Sequence, residues 1–233
     1  MKHLTLRSIS IAAAALALTA SANALTIDWT KLVGTSSLAF SKDAIDLFKA
    51  NQGTVKALGN TTPILETGAT TAWSFSLPIT SITITPALKI GAGQASGSAL
   101  DIVRSVFDED SGQVITSGIV LANFKLDYIK HQVLADATPH GATTLPMFAV
   151  YDFNTATPLA LKYKFPLSIT GREVLDKLKL TPAAVDLFAT SLGLEGEAVL
   201  NLVRSTDFGT LTQNIAVKAR KPAVSKTPYV PAP

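Results

Sequence analysis

The chain has no cysteine among its 233 residues. That excludes disulfides, thiolate nucleophiles and cysteine-ligated zinc or iron–sulfur centres, and leaves packing alone to hold the fold. Histidine is nearly as scarce. Beyond His3 in the leader only His131 and His140 remain, so a Ser-His-Asp triad would have to use one of those two. No G-x-S-x-G elbow occurs, because "GQASG" at 93–97 has a different spacing. The surrounding "GAGQASGSA" leads into no helix, so it is no phosphate cradle and reads as a flexible loop. Also missing is an apolar run of the roughly 20 residues that a membrane-crossing helix requires.

A strong charge of either sign is lacking as well. Lys2 and Arg7 open a stretch that continues through "ISIAAAALAL" to "ANA" at 22–24, the pattern of a secretory signal peptide over 1–24 with the mature chain starting at Leu25. Without those two cations, 18 basic residues face 17 acidic ones. Lys218, Arg220, Lys221 and Lys226 all follow the last acid, Asp207, so residues 25–217 carry a small net negative charge ahead of a basic tail. Nucleic-acid binding needs clustered cations on a folded face, and the sequence has no such cluster.

What is present is a period of two, the period of strands whose alternate side chains enter a core. Trp73, Phe75, Leu77 and Ile79 alternate with small or polar residues; the phase then slips at Thr80–Ser81 and resumes at Ile82 and Ile84. Such a slip predicts a bulge or a corner. Leu159, Leu161, Tyr163, Phe165 and Leu167 alternate most cleanly, with Lys162 and Lys164 facing out. Further strands are expected at 87–91, 99–107, 113–121, 123–134, 145–153, 197–204 and 210–219, with "DEDSG" at 108–112 and "TDFG" at 206–209 as turns. About ten short strands without regular intervening helices predict a mainly β fold, an antiparallel sandwich or barrel with two or three short helices. A single β-rich domain is expected over 25–219. Prolines 222, 228, 231 and 233 predict a disordered basic tail over 220–233.

One phrase occurs twice, as "SKDAIDLFKA" at 41–50 and "TPAAVDLFAT" at 181–190. Ser41 and Thr181 are N-cap residues, Pro182 suits the first helical position, and Ile45 with Phe48 and Val185 with Phe188 share one face. Gly53 and Gly193 are expected to supply the left-handed stop. The repeat therefore describes two strand–helix–strand corners, a reading preferred over a two-carboxylate site at Asp46 and Asp186. Thr170-Gly-Arg-Glu173, followed by Val174, Leu175 and Leu178, reads as a third capping box with a helical turn over 172–177.

Candidate ligand residues are few. Tyr128 and His131 in "DYIKHQ" are the types that hold haem iron or another metal, provided a bulge brings both to one side of the strand. Asp108, Glu109 and Asp110 are a candidate calcium loop, although the spacing is not that of an EF-hand and a solvated turn explains the same residues. His140 reads as a loop residue. Asn60-Thr61-Thr62 is a formal glycosylation sequon.

"GIVLANFKLD" at 118–127, "LPMFAVYDF" at 145–153 and "LKLTPAAVDLFATSLGL" at 178–194 resemble secreted bacterial β-rich domains of the HtaA type, which are associated with haem capture. The resemblance spans about residues 113–194 and implies a secreted β fold. No haem ligand maps onto the N-terminal "LTIDWTKL". The favoured expectation is an exported, non-enzymatic protein of the cell surface or extracellular matrix, serving as an adhesive, structural or ligand-binding module. Its partners would be a second copy or a cell-envelope component, met at exposed strand edges. A haem- or metal-binding periplasmic or surface protein is the second expectation, and a hydrolase on a β scaffold the third.

Overall fold

The computed structural model describes residues 24–87, 89–164 and 168–232; the expected signal peptide lies outside the described residues except at Ala24. The fold is mainly β and antiparallel. Its strands are β1 (Leu25–Asp28), β2 (Leu32–Phe40), β3 (Gly53–Gly59), β4 (Thr62–Ile64), β5 (Ser74–Pro78), β6 (Ser81–Ile84), β7 (Ile90–Asp108), β8 (Gln113–Asp127), β9 (Gln132–Pro139), β10 (Leu145–Lys164), β11 (Ser168–Leu180) and β12 (Gly209–Ala219). The helices are α1 (Lys42–Ala50), α2 (Pro182–Leu192) and α3 (Glu197–Ser205).

The pairing runs β6-β7-β8-β9-β10-β11-β12-β2-β5. Because β5 and β6 are successive pieces of one bent strand, this path returns on itself. At the bend the Ile79 amide donates to the Gly34 carbonyl of β2 at 2.9 Å, and the Thr80 amide donates to the Gln94 carbonyl of β7 at 2.8 Å. The two neighbours of the bent strand are thereby stitched together, and the sheet closes into a barrel. Thr80 makes the corner hold: its hydroxyl also donates to Gln94 O and accepts from the Ser96 amide. The phase slip expected at Thr80–Ser81 is this corner. The short strands β1 and β4 lie at the ends of the pairing path, and β3 lies off it, paired with β7.

Both copies of the twin phrase form helices that close one end of the barrel. Ser41 Oγ accepts from the Ala44 amide and Thr181 Oγ1 from the Ala184 amide. The same hydroxyls donate outward, to Asp207 O at 2.5 Å and Ala149 O at 2.7 Å, so each cap also ties its helix to a neighbouring segment. Gly193 stops α2 at φ 61 as expected. At α1 the expectation fails: Gln52, not Gly53, takes the left-handed conformation, at φ 55. Glycine is needed at 53 for space, since a Cβ there would lie 3.0 Å from the Phe48 ring. Arg104 of β7 joins the two helix ends, donating to Asn51 O, Leu192 O and Gly193 O at 3.2, 3.0 and 2.6 Å. Asp46 and Asp186 both face solvent, and Asp46 pairs with Lys42.

Several local expectations are corrected. Residues 197–204 form α3 instead of a strand. The supposed loop "GAGQASGSA" is part of β7, whose Gly97 takes φ 75 within a bulge between Ala95 and Ala99. The strand expected over 123–134 breaks at a turn between β8 and β9. No helical turn forms at 172–177, because β11 is paired on both sides, by β10 and by β12. The helix-like spacing of Leu175 and Leu178 comes from a kink at Lys177, whose φ is 53.

The tail expected to be disordered is instead laid along the barrel wall. The Arg220 amide donates to Lys31 O and the Val224 amide to Thr30 O, and Asn60 Nδ2 reaches Ser225 O. Asn123 clamps Tyr229 from both sides, accepting from its amide at 2.8 Å and donating to its carbonyl at 3.0 Å. The Tyr229 ring covers Ala99, Val120 and Ala122 on the outer face. Small outward residues leave room for it.

Candidate functional site

With the helices closing one end, the other end opens into an apolar cavity walled by β2, β5 to β12 and the start of the β8–β9 turn. Leu38, Leu77, Ile79, Phe124, Leu126 and Tyr151 are among the side chains that line it. Each stands at an inward position of its strand, which is why the lining is apolar although the strands are individually amphipathic.

Three polar side chains interrupt that lining in a single row. Gln213 of β12 is the cross-strand partner of Glu173 on β11 on one side and of Ser36 on β2 on the other. Directly paired residues share a face, so all three point into the lumen. Gln213 Nε2 donates to Ser36 Oγ at 2.7 Å. Glu173 is 5% exposed, and its carboxylate accepts from the Tyr128 hydroxyl at 2.5 Å across the lumen and from the Leu159 backbone amide.

Burial pushes the Glu173 carboxyl above its ordinary value of 4.5, outweighing the two hydrogen bonds that act the other way. Burial, and then the charge of Glu173, push the Tyr128 phenol up. A carboxyl that ionises less readily in the fold than in the unfolded chain holds its proton more tightly when folded. Its contribution to stability is therefore full below about pH 4.5 and is lost as pH rises through the raised value. Glu173→Gln can still accept from Tyr128 but cannot ionise. Its urea midpoint should gain on that of the unsubstituted protein as pH rises from 4 to 8; parallel curves would show that Glu173 is not desolvated.

The lumen face continues past the rim on the β10–β11 hairpin. Leu161 pairs with Gly171 and Tyr163 with Ile169, giving an apolar lip on which Leu161 is 64% exposed. Gly171 is required there, since a Cβ would stand 2.9 to 3.1 Å from Ile215, Leu161 and Leu159. Phe165 and Leu167, expected on the same face, lie outside the described residues.

Of the residues singled out in the sequence, Tyr128 lies in the cavity and His131 on the exposed turn beside it. Both rings rest on Phe153, at 6.1 and 5.7 Å. The Tyr128 hydroxyl is committed to Glu173, and its raised pKa opposes the phenolate that iron would take. Asp108, Glu109 and Asp110 form the β7–β8 turn, where the Asp108 carboxylate accepts from the Ser111 hydroxyl at 2.6 Å and is thereby held below the usual carboxylate range. Among the described residues no three His, Asp or Glu side chains converge as metal ligands. His140 packs over Gly118 and its Nε2 lies 2.8 Å from Asp101 on the outer wall. The residue that sequence reasoning missed is Glu173, assigned to a helix cap. Its signal was a carboxylate in phase with apolar Leu175 on a strand.

The fold and site define a class: an antiparallel β-barrel, plugged by helices at one end and open at the other into an apolar lumen with a buried polar row. No protein family matches the chain, and no curated protein does. Among solved structures, the C-terminal domain of HtaA from Corynebacterium glutamicum is similar at 11% identity, over 81% of this chain and 99% of that domain, with a TM-score of 0.46. A likeness at that level bears on no residue of the cavity.

Proposed function

We propose that this chain is an exported, non-enzymatic binding module that holds one small, largely apolar molecule in its barrel lumen. The observation that carries this reading is the lumen itself: mostly apolar side chains from β2, β5 to β10 and β12 surround a space open at one end, with Glu173 of β11 and a few other polar groups on its wall. Small-molecule sites have this character, and barrels of about eight strands are wide enough for one such ligand. Export is proposed from the leader at 1–24. Nothing in the lumen assembles a nucleophile, a base and a group to orient it, so hydrolysis gains no support.

Gly93 provides the test. It lines the lumen between the inward-facing Ile82 and Leu126, its cross-strand partners, and a Cβ added there meets nothing within 4 Å. A phenylalanine at 93 should fill the cavity without disturbing the wall. In fluorescence titrations with an uncharged apolar dye, Gly93→Phe is expected to weaken binding at least tenfold while the melting temperature is kept. The smaller Gly93→Leu should give a partial loss. Dye binding equal in all three proteins would place the dye elsewhere and sink the reading. Haem, added in the same assay, tests the competing proposal: an absorption shift lost in Tyr128→Phe and His131→Ala would favour it.

A further inference from the structure

Glu173 is an unusual group to find on the wall of an apolar cavity. A buried carboxylate is costly unless a cation or several hydrogen bonds compensate it. Here the compensation is incomplete. The groups acting on it are the Tyr128 hydroxyl and the Leu159 amide, and no cation is among them. Among the described residues, Lys125 is the one cation that lines the cavity, and it stands between the inward-facing Phe124 and Leu126, so strand alternation turns its side chain outward. Arg172, next to Glu173 on β11, is likewise outward and exposed. The rest of the row adds no positive charge either, being Gln213 bonded to Ser36.

Resting on the lumen reading above, we propose that the ligand is a hydrophobic amine, with Glu173 receiving its ammonium group and the apolar wall receiving its body. The 2.5 Å bond from Tyr128 is in the range of a hydroxyl donating to a charged carboxylate, so Tyr128 fixes the acceptor in place before a ligand arrives. Gln213 and Ser36, on the neighbouring strands, offer side-chain oxygens to the remaining ammonium hydrogens. An ammonium in this position supplies a positive charge beside Glu173 and favours its ionised form. An alcohol could donate a single hydrogen bond to Glu173 and brings no charge, and a carboxylate would meet repulsion.

The experiment displaces the apolar dye from the purified chain with decylamine, decanol or decanoate, each below its micelle-forming concentration, at neutral pH. The amine is expected to bind at least tenfold more tightly than the alcohol, with the carboxylate weakest. Glu173→Gln should remove the amine's advantage over the alcohol, with the variant's melting temperature and circular dichroism showing that it is folded. In the unsubstituted protein, lowering the pH should weaken the amine and spare the alcohol, a check that needs no substitution. If all three displace the dye equally, or decanoate does so best, the head-group assignment falls and the lumen reading stands. If the dye never enters, both fall.

Discussion

Phe48→Ala is expected to destabilise the protein by about 3–5 kcal/mol, the range for emptying an aromatic site in a packed core. Phe48 is the centre of the plug that closes one end of the barrel. Its ring stacks on Trp73 at 5.7 Å and meets Phe40 and Phe208 edge-on at 5.3 and 6.3 Å. These rings come from α1, from β2, from the residue before β5 and from the loop before β12, so one truncation loosens four segments. Helix α1 has only nine residues and cannot hold itself together without packing. Urea unfolding followed by tryptophan fluorescence and by circular dichroism measures the loss. A cost under about 1 kcal/mol would mean that the cluster is not what closes this end.

Arg104→Ala should cost about 2–4 kcal/mol, through polar contacts instead of apolar ones. Its guanidinium serves the C-terminal ends of α1 and α2 together, where carbonyls lack helical partners and the helix dipole is negative. Water can replace the contact at exposed Gly193 but reaches the others less well. Arg104→Lys should recover only a small part, because a single ammonium cannot span both helix ends as the planar fork does. Full recovery by lysine would show that charge alone matters there. Thermal melts of the two variants decide between these outcomes.

The local grammar of this chain was legible. Period-two alternation gave the β class, the slip at Thr80–Ser81 marked a real corner, and the hydroxyls of Ser41 and Thr181 cap the helices that the twin phrase describes. Misreadings cluster where one local pattern admits two conformations. Leu175 and Leu178 have helical spacing, yet they lie on a strand whose alternation is reset at Lys177, and both edges of that strand are occupied, by its hairpin neighbour β10 and by β12. "GAGQASGSA" is not a loop but strand, and its Gly97, at φ 75, sits in the bulge of β7 between Ala95 and Ala99. The tail from Arg220 onward has the composition of a disordered segment, and only the groove beside Asn60 and Asn123 gives it a place.

The candidate site was much less legible. Tyr128 was noticed for a role with His131, whereas its hydroxyl serves Glu173, 45 residues further on. Ser36 and Gln213 are 177 residues apart and meet only through the pairing of β2 with β12. By itself the sequence determined which faces avoid water, where helices start, and which chemistry is closed to a chain without cysteine, because those are properties of neighbours along the chain. Tertiary structure alone decided that the faces enclose a cavity and that a carboxylate stands in it. A lumen is bounded by register among remote strands, and no stretch of residues carries that register until the barrel closes.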